Sequence, residues 1–76
     1  MFWNHRVVRK TEAGETLYMF AEVYYDDSTK LPFSYGEPFY HGDTMDELKE
    51  LTDRLIKALD KPVLDDATDF HEPTVE

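Results

Sequence analysis

Hydrophobic and polar positions divide the chain into three segments of strand type followed by one of helix type. Residues 2–10 mix aromatic and β-branched side chains with basic ones and end at a polar, glycine-containing turn. Residues 16–25 are rich in aromatic and aliphatic side chains without helical spacing, so they predict the central strand. Residues 31–41 contain Pro32 and Pro38, which predict an irregular edge strand because proline donates no backbone hydrogen bond.

A helix is predicted over residues 45–60. Thr44 is suited to the N-cap position, and Glu47 follows at the spacing of a capping box. Pro62 ends the helix because it disfavours helical geometry in the residue before it. The four leucines of the apolar stripe are expected to be mostly buried. The stripe consists of Met45, Leu48, Leu51, Leu55, Ile56 and Leu59.

These elements predict an α+β fold, a three-stranded antiparallel meander with one amphipathic helix packed on one face. A chain of 76 residues has room for one hydrophobic core, so residues 1–64 are expected to form a single domain. Leu64 and its neighbour Val63 are expected to dock at an edge of that core. Residues 65–76 are acidic, lack periodicity and hold few large apolar side chains, which predicts a mobile tail.

Composition and charge narrow the classes of function. The chain has no cysteine and no apolar run of signal-peptide or membrane-spanning length, which favours a cytoplasmic protein without membrane contact. Its formal net charge of −9 disfavours direct binding to nucleic acid or to an anionic membrane. The same charge permits a basic protein as partner.

Residues capable of catalysis or metal binding do not fall into a chemical motif. The serines, Ser28 and Ser34, lie in or beside turns without the glycines that surround a nucleophile. The histidines, His5, His41 and His71, lie on three separate segments, and the scattered glycines cannot form a phosphate loop. We therefore predict a protein that is not an enzyme and has no catalytic residue, cofactor or metal ion.

Large apolar side chains lie on both faces of the predicted central strand, and one helix cannot cover two faces. Unless a bulge near Glu22 exchanges the faces, one face offers an aromatic patch to a protein partner or to a second copy. The patch consists of Trp3, Tyr18, Phe20 and Tyr24. The alternative is that the tail and loops cover this face.

The acidic side of the predicted helix is a second candidate surface. A basic protein would bind this side as it binds a nucleic-acid backbone, through Asp46, Glu50 and Asp53. The alternative is that these residues form a solvated face that keeps the chain in solution. Spacing of four residues also predicts exposed ion pairs of Glu50 with Arg54 and of Asp53 with Lys57.

Three segments resemble a family of short uncharacterised bacterial proteins that has no assigned activity. They are Trp3-Asn4 with Arg6-Val7-Val8, Glu22-Val23-Tyr24-Tyr25-Asp26, and Ala58-Leu59-Asp60-Lys61-Pro62-Val63-Leu64-Asp65.

Residues 16–59 are also similar to the amino-terminal domain of HicB-type antitoxins, in the order of strand, strand, capping motif and amphipathic helix. The capping motif reads Gly42-Asp43-Thr44-x-x-Glu47-Leu48. This resemblance implies a β-β-β-α layer that masks a small basic ribonuclease toxin. Since no helix-turn-helix or ribbon-helix-helix segment follows Pro62, it does not imply operator binding.

The sequence thus predicts a non-enzymatic protein-binding module, antitoxin-like or inhibitor-like, that masks a protein partner. The alternative is an acidic nucleic-acid mimic of phage or mobile-element origin that inhibits a bacterial defence protein, such as one of CRISPR type, or a DNA-handling protein.

Overall fold

A computed structural model describes residues 2–72 and shows an α+β fold. Its elements are β1 (Phe2–Glu12), β2 (Glu15–Tyr25), β3 (Pro32–Gly36), α1 (Met45–Ala58) and β4 (Leu64–Asp65). The sheet has four strands in the order β3-β2-β1-β4. The α+β class is confirmed, but the predicted three-stranded antiparallel meander is incomplete, because β4 adds a fourth strand that runs parallel to β1.

A tight turn joins β1 and β2. Ala13 and Gly14 both have positive φ, 51° and 82°, as in the type I′ turn whose twist matches that of the strands it connects. Glu12 and Glu15 are paired directly beside this turn. Local chemistry therefore fixes the register of the hairpin.

The pairing of β2 with β1 is uninterrupted along both strands, so no bulge exchanges the faces of β2 near Glu22. The irregularity lies in β3, where Tyr24 is opposite Ser34 and Tyr25 is opposite Pro32. β3 is also shorter than the predicted 31–41, since its ladder ends at Gly36.

The hydrophobic core lies on one face of the sheet, here called the core face. Val8, Ala21, Val23 and Tyr25 form a buried cluster there. The partly buried side chains packed against the cluster come from β2, β3, β4 and the segment after β4; they are Met19, Tyr35, Leu64 and Phe70. As expected, Leu64 docks on the core.

Residues 65–72 cross the core face and are called the strap. The ring of Phe70 lies 5.1 Å from that of Tyr35 on β3, and the backbone N–H of His71 donates to the carbonyl of Pro32 at 2.8 Å. Because β3 and β4 are opposite edges of the sheet, the strap spans its full width. The prediction of a mobile tail is therefore wrong for residues 65–72, and residues 73–76 lie outside the described residues.

Two aspartates of the strap, Asp65 and Asp69, accept hydrogen bonds that hold its backbone. Asp65 accepts hydrogen bonds from the backbone of Ala67 at 2.9 Å and from Arg9 Nε at 3.0 Å, while its own N–H donates to Asp69 at 2.6 Å. The bond from Ala67 and then the Arg9 guanidinium lower the pKa of Asp65. The sequence suggested that these carboxylates belong to a solvated tail, but in the structure Asp65 and Asp69 close a turn.

Helix α1 begins where predicted. The N–H of Glu47 donates to Thr44 Oγ1 at 3.1 Å, and the Glu47 carboxylate accepts from the N–H of Asp43 at 2.7 Å, one residue before the N-cap. The helix ends at Ala58, two residues short of the prediction. In the described part of the chain, no helix has the length and apolarity needed to cross a bilayer.

Helix α1 lies on the face opposite the core face, here called the helix face, and packs against β1. Ala58 is its one fully buried residue among those described. Leu48, Leu51 and Leu55 are half-buried, but Leu59 is 61% exposed, so the prediction that it is mostly buried is wrong. Leu59 is the C-cap residue, directly after the last helical residue.

Candidate functional site

The four predicted aromatic residues lie on one face, because the register pairs Trp3 with Tyr24, Val7 with Phe20, and Arg9 with Tyr18. That face is the helix face. The expectation of a patch on the side of the sheet away from the helix is therefore wrong, since the strap covers that side.

Helix α1 covers the β1 half of the helix face and leaves the β2 half open. Tyr18 is 60% exposed, while Phe20 and Tyr24 are half-buried. The Tyr24 hydroxyl donates to Glu22 Oε1 at 2.9 Å, and this bond raises the pKa of Tyr24. Tyr18, Phe20 and Tyr24, together with Leu59, are called the aromatic surface below.

A small apolar pocket of about 120 Å³ lies within the aromatic surface. Leu59 closes one side of it, although its place in the helical stripe had indicated a buried position. No sequence signal separates Leu59 from the half-buried leucines of the stripe, since Ala58 directly before it is buried. The pocket is lined by Val7, Tyr18, Met19, Phe20 and Leu59.

Trp3 lies on the other half of the helix face, apart from this pocket. Its ring is 43% exposed and meets His5 edge-on at 5.4 Å. It borders a cleft of about 300 Å³ between β1 and α1. The cleft is lined by Trp3, Asn4, His5, Arg54, Lys57 and Lys61.

The cations of this cleft have no carboxylate partner within the part of the chain described. Neither Glu50 with Arg54 nor Asp53 with Lys57 forms the predicted ion pair; the pairs found are Arg9–Asp65 and Lys10–Glu12. The exposed helical pairs are worth about 0.3–0.5 kcal/mol, too little to hold long side chains in one geometry. Arg54 instead turns toward the cleft.

His5 is the most buried polar side chain of the cleft, with 6% of its surface exposed. Burial lowers its pKa, and the nearby cations Arg54 and Lys61 lower it further, against the opposing effect of Glu22. Its Nε2 atom is buried without a hydrogen-bond partner among the described residues. Within residues 2–72, no three His, Cys, Asp or Glu side chains gather as metal ligands.

The acidic side of α1 is exposed. Asp46, Glu50 and Asp53 are exposed, and their spacing of four and three residues places them about 6 and 4.5 Å apart along the helix axis. The structure therefore separates two surfaces, the aromatic surface on the sheet and an acidic row on the helix. Comparisons with protein-family models, curated proteins and solved structures found no match.

Proposed function

We propose that the chain is a protein-binding module that masks a partner protein through the aromatic surface and catalyses no reaction itself. The observation that supports this most is the incomplete cover of the sheet. Domains bury each face of a sheet against another layer, yet among the helices and strands of residues 2–72 the contacts of α1 are mainly with β1 and not with the β2 half of the helix face.

The dimensions of the molecule agree with a missing layer. Its principal extents are 39 × 36 × 20 Å, and its radius of gyration is 13.6 Å, where about 11 Å is usual for 76 residues. A flat molecule with apolar side chains on an open face gains stability when a partner covers that face. An inhibitor-like or antitoxin-like protein acts in this way.

The charge of the chain favours a basic partner. A net charge of −9 speeds the encounter with a positively charged protein, while desolvated aromatic contacts provide most of the binding free energy. Masking a basic ribonuclease, as the antitoxin resemblance implies, fits this combination.

A second candidate is mimicry of nucleic acid by the acidic row of α1. The observation that favours it is the exposure of Asp46, Glu50 and Asp53 without ion-pair partners in the described part of the chain. A basic site on a defence or DNA-handling protein would recognise such a row.

Copurification from the native host, followed by mass spectrometry, tests the proposal. Tyr24→Ala and Leu59→Ala remove aromatic-surface side chains. Ile56→Ala is the matched control for Leu59→Ala, because Ile56 on α1 is 56% exposed and Leu59 is 61% exposed. We expect one partner with wild type and control, bound about thirtyfold more weakly after an anchor is truncated. A partner that binds all variants equally would contradict the proposal.

A further inference from the structure

The cleft between β1 and α1 combines positive charge with the single tryptophan of the chain. Its volume is about 300 Å³, and three of its six lining residues are Arg54, Lys57 and Lys61. None of the described residues that line it is acidic, although acidic residues outnumber basic ones in the chain by 17 to 8. The cleft is therefore a basic site on an acidic protein.

The backbone places these three cations on one side of the helical segment. Lys57 follows Arg54 by three residues, and Lys61 follows Lys57 by four. The turn continues past the end of α1, because the N–H of Asp60 donates to the carbonyl of Lys57 at 3.1 Å and the N–H of Lys61 to that of Ala58 at 3.3 Å. Residues at such spacing are neighbours, so like charges repel there unless an anion lies between them.

Arg6 fixes the segment that carries Lys61. Its Nη2 atom donates to the carbonyl of Pro62, the next residue, at 2.6 Å, and its Nη1 atom donates to the Tyr25 hydroxyl at 3.1 Å. That hydroxyl in turn donates to Asn4 Oδ1 at 2.7 Å. These bonds tie the segment after α1 to β1 and β2, so the backbone of Lys61 is positioned before a ligand binds.

Carboxylates on the same helix do not neutralise the cations of the cleft. Glu50 and Asp53 have the right spacing, yet neither forms an ion pair within residues 2–72. Arg54 and Lys61 both lower the pKa of His5, which shows that their charges act on the floor of the cleft. The positive charge is thus available to a ligand.

Trp3 adds an aromatic surface beside these cations. Its ring is 43% exposed and rests edge-on against His5, which is itself buried and so holds the ring in place. An exposed aromatic ring of this kind stacks on a nucleobase of any identity, since every base has a π-face. Arginine and lysine side chains are the usual partners of phosphate.

We propose that the cleft binds a nucleoside monophosphate, with the phosphate held by Arg54, Lys57 and Lys61 and the base stacked on Trp3. A phosphate monoester carries nearly two negative charges at neutral pH, which suits three unpaired cations better than a carboxylate does. The volume of about 300 Å³ is at the lower end of the range for ligand pockets and suits one nucleotide.

The net charge of the chain limits the ligand to a short one. A longer nucleic acid would extend from the cleft over a protein of net charge −9, whose carboxylates repel each further phosphate. A single phosphate is affected less, because salt screens charges beyond about 8 Å at physiological ionic strength and the cations of the cleft act at contact distance.

Titration of the purified chain tests the proposal. Trp3 is the only tryptophan, so its fluorescence reports binding at the cleft. We expect AMP and CMP to change this fluorescence with dissociation constants below about 1 mM. Adenosine and inorganic phosphate, measured by competition with AMP, should each bind at least about tenfold more weakly, because each makes only part of the contacts.

Matched substitutions on α1 separate the cleft from general effects of charge. Lys57→Gln should weaken AMP binding about tenfold, because it removes one cation from the phosphate. Lys49→Gln makes the same change at an exposed lysine of α1 outside the cleft and should leave binding unchanged. Both side chains are exposed, so both variants should fold, which thermal unfolding verifies.

A second matched pair tests the stacking. Trp3→Leu should weaken AMP binding about tenfold in isothermal titration. Phe2→Leu is its control, because Phe2 is also an exposed aromatic residue of β1, but its side chain lies on the opposite face. Binding by Phe2→Leu should equal that of wild type.

Failure of both nucleotides to bind at about 10 mM would overturn the proposal. So would equal binding of AMP and inorganic phosphate, equal effects of Lys57→Gln and Lys49→Gln, or an oligonucleotide that binds more tightly than AMP. The inference goes beyond the proposed function and does not depend on it. Tyr24→Ala and Leu59→Ala, which test partner masking, should bind AMP as wild type does.

Discussion

His5 shows how one buried side chain can link stability to pH. The imidazole contacts the Trp3 ring edge-on and lies close to Arg54, so its protonation places a charge in a poorly hydrated site beside another cation. The folded protein therefore keeps His5 neutral at a pH where the unfolded chain already binds a proton.

We predict that His5 makes the protein less stable as pH falls below 6.5, its ordinary pKa. The pKa is lowered by folding, so the unfolded state binds the proton first and stability declines until the folded-state pKa is reached. The loss cannot exceed about 1.4 kcal/mol per pH unit. Urea unfolding of wild type and His5→Gln, at neutral and mildly acidic pH, measures it.

The carboxylates are present in both proteins. The difference between the two proteins in how steeply the free energy of unfolding changes with pH therefore belongs to His5. His41→Gln is the control, which removes an exposed histidine from the segment between β3 and α1. Both variants are compared with the wild-type pH dependence. If the stability of His5→Gln changes with pH as that of wild type does, burial of His5 does not account for the pH dependence.

At the scale of elements, the start of α1 is fixed by local contacts. We predict that Thr44→Ala lowers the free energy of unfolding by about 1 kcal/mol, because the N–H of Glu47 loses its acceptor. Thr52→Ala is the matched control, since the Thr52 hydroxyl bonds the carbonyl of Leu48 inside the helix and caps no end. Thermal unfolding of both variants would show equal melting temperatures if the cap contributed nothing.

The strap and the helix should differ in their contribution to stability. The stripe alone suggests that Leu55→Ala costs about 2–4 kcal/mol, but Leu55 is half-buried, and we now expect about 1–2 kcal/mol. Phe70→Ala should cost more, about 2–4 kcal/mol, because Phe70 covers the buried cluster and contacts Tyr35. Denaturant unfolding of both variants gives the order, and a larger effect at Leu55 would contradict it.

The elements that the sequence predicted correctly are those specified by neighbours along the chain. The hairpin follows from Gly14 and the alternation around it, and the helix follows from Thr44, Glu47 and the stripe. β4 has only Leu64 and Asp65, and its partner Val8 is distant in sequence, so no periodic pattern indicates it. Pairing between residues this far apart in sequence depends on how the whole core packs, which no local pattern shows.

The candidate surface was also predicted in part, where local pattern is sufficient, and missed where long-range packing decides. Strand alternation indicated that Tyr18, Phe20 and Tyr24 share a face, and the register places Trp3 of β1 on the same face. Which face the helix would take was open, because β2 carries apolar side chains on both. The face that the helix takes depends on the strap, which packs on the other face. The aspartates and single phenylalanine of the strap suggested a solvated tail, and only the turn contacts and the Phe70–Tyr35 contact show otherwise.

For the whole molecule, the two faces of the sheet have different roles. The strap packs on the buried cluster of the core face, although Leu17 on that face is 60% exposed. Helix α1 packs mainly on the β1 half of the helix face, and the aromatic surface lies in the other half. Partner recognition would then use one face of β2, while the strap packs on the buried cluster of the other face.

The dependence of partner binding on salt distinguishes masking by the aromatic surface from mimicry by the acidic row. If the aromatic surface binds, a few desolvated side chains dominate, and Tyr24→Ala weakens binding while salt has little effect. If the acidic row binds, affinity falls steeply with salt, because exposed charges are screened beyond about 8 Å at physiological ionic strength. Charge reversal at Asp46, Glu50 and Asp53 would then weaken partner binding more than the truncation of any aromatic side chain.

We expect the first outcome. An acidic helix face is accounted for by solvation alone, whereas Tyr18 at 60% exposure beside an apolar pocket is not. Isothermal titration of the copurified partner, with wild type, Tyr24→Ala and the charge-reversed variant at low and moderate salt, decides between the two. A hundredfold loss of affinity with salt, together with normal binding by Tyr24→Ala, would assign the partner to the acidic row of α1 instead.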